Sequence, residues 1–308
     1  MQRMAKRVRE AFIVGLCVVV SAPGLLAGRS LTAAYEYDRS LPLEAWEDEA
    51  KTEGQLVTQR VVFNSTYGER VSALLVRPVG VEKPPVLLDM HGLACSKEDA
   101  RNWFQIVGSR GIAVFAIDMP CHGERATEEA DWHAFRDKRL GPICMRRTVL
   151  DNLRALEYLR TRKDLDTRGI PLLGASMGAN LGGIVAGLDA GVAGACLISG
   201  SATPGPEPGT YLPLSDPRKA DLDVTNFLGW VSPCPVLVMT GDADAGVPVA
   251  YGEALYAAAG DPKELFVYRG GHVPGPEALE SNGGARAIRR WVREALSTVE
   301  TTSSRTDG

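Results

Sequence analysis

Ser176 is the residue whose surroundings point most directly to chemistry. It lies at the centre of residues 174–178, Gly-Ala-Ser-Met-Gly, where an apolar stretch at 170–173 predicts a buried strand and residues 177–188 predict a helix. A serine hydroxyl is a weak nucleophile unless it is held clear of the backbone beside a base. A sharp strand-to-helix turn presents the hydroxyl in this way, and glycines two residues to either side relieve the crowding of the turn. The pattern favours a serine nucleophile.

A base and a carboxylate follow this serine along the chain. His272 ends a Gly-Gly-His run after the predicted strand at 265–269, and no other histidine follows Ser176. Asp242 and Asp244 both come after the predicted strand at 236–240. A histidine can take the proton from a serine hydroxyl, and a carboxylate can hold the imidazole in the correct tautomer. The sequence therefore contains a complete set of groups for acyl transfer.

The elements that must position these groups alternate between strands and helices. Eight strands, of which the first two form a hairpin and the rest belong to βα units, predict a mostly parallel α/β sheet with helices on both faces. The predicted strands are 56–63, 71–77, 85–90, 112–117, 170–173, 195–199, 236–240 and 265–269, and the predicted helices are 97–110, 146–162, 177–188, 250–259 and 284–296.

Two stretches interrupt this alternation. Residues 120–144 are polar, and residues 201–235 begin in Pro and Gly and predict a helix around 217–230. Both leave the carboxyl ends of strands, where open α/β sheets place their ligands, so we expect them to form pocket walls. Trp132 and His133, in the first stretch, either line the pocket or are ordinary loop residues.

The motifs and their order resemble the α/β-hydrolase fold over about residues 55–297. Residues 241–248, Gly-Asp-Ala-Asp-Ala-Gly-Val-Pro, resemble that family's Gly-x-x-Asp-x-x-Val-Pro turn after the seventh strand. The family orders its triad as Ser, then Asp or Glu, then His. The resemblance implies a triad of Ser176, Asp244 and His272, with Asp242 as the alternative acid.

The same resemblance implies a site for the oxyanion of the tetrahedral intermediate. Its two N–H donors would be the amide of Met177, after the nucleophile, and the amide of Leu93, in the His-Gly-Leu run that follows the third strand. Only one glycine follows His91, so Ala94 is the alternative to Leu93. His91 and His122 are expected to brace these loops by hydrogen bonding.

Residues 151–159 and 164–170 resemble the branch that contains dienelactone hydrolases, acetyl xylan esterases and prolyl oligopeptidases. This branch implies a carboxylic-ester or lactone hydrolase, with a peptidase as the alternative. A dinucleotide-binding oxidoreductase is disfavoured because four strands precede the glycines, Asn180 replaces a glycine and no Tyr-x-x-x-Lys occurs. A binding protein on this fold would typically have lost a triad member. We expect no cofactor and no metal.

The first residues have the layout of a secretory signal. Basic residues between positions 3 and 9 precede the uncharged apolar run 11–27, and Thr-Ala-Ala at 32–34 fits a cleavage site after Ala34. An uncleaved membrane anchor is the alternative. We expect an exported protein, periplasmic or secreted, with a signal at 1–34, an extension at 35–54, the hydrolase domain at 55–297 and a disordered tail at 298–308. Cleavage would change the formal charge from −4 to −8, which disfavours nucleic acid as a partner.

Five cysteines would remain after cleavage, an odd number that cannot all pair. Cys196 lies in a predicted strand and is expected to be an inert core residue. Cys95 and Cys121 follow neighbouring strands of the resembling fold, so their loops could approach. A disulfide there would require Cα atoms within about 7 Å, and the alternative is five free thiols.

Overall fold

The structure, a computed structural model, describes residues 31–207, 209–212, 214 and 216–306. The predicted signal segment lies almost entirely outside these residues, so export and cleavage after Ala34 stay predictions. Within the described residues, no helix is both long and apolar enough to cross a membrane.

A ten-stranded mixed sheet forms the centre of the fold. Its order is β1-β3-β4-β6-β5-β7-β8-β11-β12, with β2 beside β3, and β9 and β10 form a separate pair. The strands are β1 Trp46–Glu47, β2 Lys51–Glu53, β3 Leu56–Asn64, β4 Arg70–Pro78, β5 Val86–Met90, β6 Ala113–Ile117, β7 Ile170–Ala175, β8 Val192–Ile198, β9 Thr203–Pro204, β10 Tyr211–Leu212, β11 Val236–Gly241 and β12 Lys263–Tyr268.

The pairing confirms the predicted hairpin and parallel sheet. β3 and β4 form the antiparallel hairpin, β4 pairs antiparallel with β6, and β6, β5, β7, β8, β11 and β12 pair in parallel. All eight predicted strands are present. The count of eight is nevertheless too low, because β1 and β2 add two short antiparallel strands to the edge of the sheet. Both come from the segment expected to be an extension outside the domain.

Helices cover both faces of the sheet. They are α1 Ala100–Val107, α2 Leu140–Thr161, α3 Met177–Leu188, α4 Val249–Ala258, α5 Pro276–Asn282 and α6 Gly284–Thr306. Side chains alternate across a strand, so β5 sends Leu88 to the core under α2, α3 and α4, and Leu87 to the core under α1 and α6. Two buried cores therefore hold the sheet rigid between two helical layers.

Two of the predicted helices differ from the structure in the segments that leave the strands. α2 begins at Leu140 rather than at residue 146, because the Asp137 carboxylate accepts the amide N–H groups of Arg139 and Leu140 at 2.8 Å each. The stretch 217–230 forms three 3₁₀ turns, Pro217–Leu222, Val224–Asn226 and Leu228–Val231, instead of one helix.

The C-terminal part also differs from the prediction in two places. The short helix α5, which the sequence pattern does not predict, begins at Pro276, where proline is well tolerated because the first helical amide has no intrahelical acceptor. Helix α6 continues to Thr306, whereas we expect a disordered tail from residue 298.

Candidate active site

Ser176 lies at the junction of β7 and α3 in a strained conformation, with φ 54° and ψ −118°. A positive φ is rare for a residue other than glycine and persists where the surroundings enforce it. The two flanking glycines allow it: a Cβ on Gly174 would lie 2.2 Å from the Gly178 carbonyl oxygen, and one on Gly178 would lie 1.8 Å from the Met90 carbonyl oxygen. The glycine requirement predicted from the sequence thus has a steric cause in the backbone on both sides of the turn.

The predicted base and acid meet this serine at the carboxyl edge of the sheet. His272 Nε2 lies 2.8 Å from Ser176 Oγ, and His272 Nδ1 lies 2.7 Å from Asp244 Oδ2. An ionised carboxylate can only accept, so Nδ1 carries the proton that it donates to Asp244. Nε2 is then free to accept the serine hydroxyl proton. The structure brings all three residues into one continuous hydrogen-bonded chain.

Asp244 and Asp242 occupy different environments. Asp244 is buried, and its Oδ1 accepts the amide N–H groups of Gly246 at 2.9 Å and Val247 at 2.8 Å. Burial raises the pKa of Asp244, but these hydrogen bonds and that from His272 outweigh burial, so the pKa lies below its usual value. Asp242 instead accepts the Gly270 amide at 2.9 Å and does not contact the imidazole. The geometry therefore favours Asp244 over Asp242 as the partner of His272.

Three backbone amides are the candidates for an oxyanion site, namely that of Met177 and that of either Leu93 or Ala94. The Met177 amide opens α3, where the first N–H groups have no intrahelical acceptor. The Ala94 amide donates to His122 Nε2 at 3.2 Å, so it is already engaged. In the described part of the chain, no acceptor is found for the Leu93 amide. Of the two candidates in this loop, Leu93 is the one whose N–H remains available.

His91 and His122 brace the loop in the way the sequence predicts. His91 Nδ1 donates to the Gly92 carbonyl oxygen at 2.8 Å, and its Nε2 accepts the Met119 amide at 3.2 Å. Burial lowers the pKa of His91 to about 4 and also lowers that of His122. Both rings are therefore neutral at neutral pH and can accept an amide proton, as they do here.

The loop that carries His272 depends on residues that the sequence reasoning missed. The Val273 amide donates to Ser199 Oγ at 3.4 Å, and Ser199 Oγ lies 2.8 Å from the Tyr268 hydroxyl. Ser199 and Val273 both have positive φ, 50° and 39°. No spacing in the sequence links these residues, because they come together only when β8 and β12 flank β11.

A cleft of about 350 Å³ opens beside Ser176 and His272. Its walls come from the loop after β5, the start of α1 and the loop before α5. The lining residues are Gly92, Leu93, Cys95, Asp99, Asn102, Trp103, Ala175, Ser176, His272, Val273, Pro274, Gly275 and Pro276. Trp132 and His133 are not among them; the two rings stack on each other at 3.7 Å, and His133 is exposed. Trp132 and His133 therefore fit the alternative of ordinary loop residues and do not line this cleft.

The five described cysteines are all free thiols in the structure. Cys95 hydrogen-bonds to Asp99, whereas Cys121 is beside Cys144, so the structure does not join Cys95 to Cys121. Cys196 is fully buried, as expected for a core residue. Among the described residues, no group of three metal-ligating side chains is close enough to hold an ion.

Comparison with known families agrees with this architecture. A model of the alpha/beta hydrolase family matches residues 86–297, more than half of the chain. The chain belongs to the alpha/beta hydrolase family. The matched region contains Ser176, Asp244 and His272.

Solved structures with this fold include several esterases. An acetyl xylan esterase from a Thermoanaerobacterium species superposes with a TM-score of 0.68 at 20% identity, over 87% of this chain and 93% of that one. One from a Paenibacillus species gives a TM-score of 0.63 at 21% identity, over 84% and 91%. Est1E from Butyrivibrio proteoclasticus, with bound ferulic acid, gives a TM-score of 0.58 at 19% identity, over 75% of this chain and 97% of that one. At these identities the similarity concerns the fold.

Curated relatives include the uncharacterized protein YfhR of Salmonella typhimurium, 30% identical over 164 residues. The match covers 48% of this chain and 55% of that protein. A YfhR protein of Salmonella typhi is 31% identical over 164 residues, which again cover 48% of this chain and 55% of that protein. The chain thus matches about half the length of these relatives.

Proposed function

We propose that the protein is a serine hydrolase that cleaves a carboxylic ester through an acyl-enzyme. The observation that carries the proposal is the continuous chain from Asp244 through His272 to Ser176, with distances of 2.7 and 2.8 Å, at the edge of an open cleft. A triad is recognised by such geometry and by the roles of its members. The alpha/beta hydrolase family membership and the esterases among the structural neighbours add to it.

Acylation would begin with the proton of the Ser176 hydroxyl. His272 Nε2 takes this proton while Oγ attacks the ester carbonyl carbon. The carbonyl oxygen becomes an oxyanion, which the amides of Met177 and Leu93 stabilise by donating hydrogen bonds. As the tetrahedral intermediate collapses, His272 returns the proton to the departing alkoxide, and the acyl group remains on Ser176.

Deacylation repeats these steps with water as the nucleophile. His272 takes a proton from the water, the hydroxide oxygen attacks the acyl carbon, and Ser176 Oγ departs with the proton from His272. The buried Asp244 carboxylate holds the neutral imidazole with its proton on Nδ1 and stabilises the imidazolium that forms in each half-reaction. The low pKa of Asp244 keeps it ionised throughout.

We propose an ester rather than a peptide as the substrate because acetyl xylan esterases are among the structural neighbours. Peptidase activity is the alternative. The rates of hydrolysis of nitrophenyl acetate and of the matched nitroanilide separate the two activities. Faster hydrolysis of the nitroanilide would favour the peptidase alternative.

Labelling with a fluorophosphonate tests the nucleophile directly. Ser176→Ala should abolish both labelling and turnover of nitrophenyl acetate while the thermal unfolding midpoint stays close to that of the wild type. Ser281→Ala is the matched control, because Ser281 is an exposed residue of α5 whose hydroxyl donates to the Ala278 carbonyl oxygen. Unchanged turnover by Ser176→Ala would overturn the mechanism.

A further inference from the structure

One wall of the cleft beside Ser176 carries a carboxyl group for which the proposed reaction has no use. Asp99 precedes α1 and lines the cleft together with Cys95 and Trp103. Its backbone is helical, with φ −60° and ψ −22°, because it ends the 3₁₀ turn Lys97–Asp99 that leads into α1. Ser96 caps this turn by accepting the Glu98 amide, so the Asp99 carboxyl group does not serve as a helix cap.

This carboxyl group and the nucleophile line the same cleft. A Cβ on Gly92 would lie 3.5 Å from Ser176 Cβ and 3.9 Å from Cys95 Sγ, so the serine and the thiol flank the same glycine. The thiol in turn hydrogen-bonds to Asp99. A ligand whose ester carbonyl sits at Ser176 would therefore place a neighbouring group beside Asp99.

Among the residues that the structure describes, no lysine or arginine forms an ion pair with Asp99. Among the described residues that line the cleft, none is a lysine or an arginine. The basic residues nearby in sequence are paired elsewhere: Lys97 with Asp118 and Glu124, and Arg101 with Glu53 and Glu98. A partly buried carboxylate without a counter-ion is unfavourable, and burial accordingly raises the pKa of Asp99.

A second acid lies behind the same wall. Asp89, on β5, is fully buried beside the indole of Trp103. Burial and the nearby Asp99 raise the pKa of Asp89 well above its usual value, and the hydrogen bond from Trp103 offsets only part of this rise. The neutral form of Asp89 is therefore favoured, and Asp99 is the carboxyl group of this wall whose charge an arriving cation would stabilise.

We propose that Asp99 is a specificity-determining residue that selects esters carrying a positively charged ammonium group. The inference rests on the proposed esterase function. The ammonium supplies the missing counter-ion of Asp99, and its methyl or methylene groups pack against Trp103. Anionic esters are disfavoured by the same wall.

Matched esters test this selection. Acetylcholine and 3,3-dimethylbutyl acetate have nearly the same shape and differ in the charge on the alcohol, and a second pair carries the trimethylammonium or tert-butyl group on the acyl chain. We expect the wild type to favour the cationic member of at least one pair by about tenfold or more in kcat/KM, as an ion pair with a partly desolvated carboxylate would give. Asp99→Asn should remove this preference, so that kcat/KM becomes nearly equal for the two members of the pair.

Glu98→Gln is the control, because it removes the same charge from the adjacent residue, which is exposed and paired with Arg101 outside the cleft. The inference is overturned if the wild type prefers neither cationic ester, or if Asp99→Asn keeps the preference. Calorimetric titration with choline separates the two proposals. If no ester is hydrolysed but choline binding is lost only in Asp99→Asn, the esterase proposal fails and the cation site stands; if esters are hydrolysed without charge preference, the reverse holds.

Discussion

Replacing Asp244 by asparagine should change the tautomer of His272 without displacing the loop. The asparagine carbonyl oxygen can still accept the amides of Gly246 and Val247, which lie 2.9 and 2.8 Å from Asp244 Oδ1. The side-chain NH₂ group then faces His272 Nδ1, where the carboxylate accepts a proton at 2.7 Å. Since NH₂ can only donate, Nδ1 must become the acceptor and the proton moves to Nε2.

A protonated Nε2 cannot accept the Ser176 hydroxyl proton at 2.8 Å, so the base is lost although every side chain is in place. In a triad, this substitution lowers kcat by about 10⁴, which corresponds to roughly 5 kcal/mol of transition-state stabilisation. Asp242→Asn is the matched control. Asp242 accepts the Gly270 amide, which an asparagine oxygen can also do, so we expect less than about a tenfold loss.

Steady-state rates on nitrophenyl acetate, with circular dichroism to verify folding, give both numbers. A kcat for Asp244→Asn within tenfold of the wild type would refute the tautomer argument. A larger loss in Asp242→Asn than in Asp244→Asn would transfer the acid role to Asp242.

Two further predictions concern the framework around the site. Gly178→Ala should destabilise the protein by about 1–3 kcal/mol or more in urea unfolding and lower its activity, because the added Cβ would lie 1.8 Å from the Met90 carbonyl oxygen. Gly229→Ala is the control and should be nearly neutral, because a Cβ there would have no atom within 4 Å. Equal effects would contradict the close approach. Burial lowers the pKa of His91 to about 4, below the roughly 6.5 of an unfolded chain, so its contribution to stability is complete above about pH 6.5 and is lost as the pH falls towards 4. His91→Gln should therefore reduce the slope of unfolding free energy between about pH 6.5 and 4 by up to about 1.4 kcal/mol per pH unit, and an unchanged slope would contradict a neutral His91.

Much of the framework could be predicted from local patterns. Apolar runs and alternating elements identified all eight main strands, because buried parallel strands need continuous apolar sequence. The site motifs were readable for a similar reason: each follows the end of a strand, and parallel strands bring their carboxyl ends to one edge. The short strands Trp46–Glu47 and Lys51–Glu53 escaped prediction because they are exposed and carry no apolar pattern.

The sequence by itself was enough to predict Ser176 as the nucleophile and His272 as the base, since Ser176 lies in a glycine-flanked turn and no other histidine follows it. Asp244 was separated from Asp242 only in three dimensions, where the loop directs one carboxylate towards the imidazole and the other towards the Gly270 amide. The unpaired state of Asp99 was equally beyond the sequence. Whether an acid is neutralised depends on which cations the fold brings near it, and tertiary packing sends the neighbouring Lys97 and Arg101 to other acids.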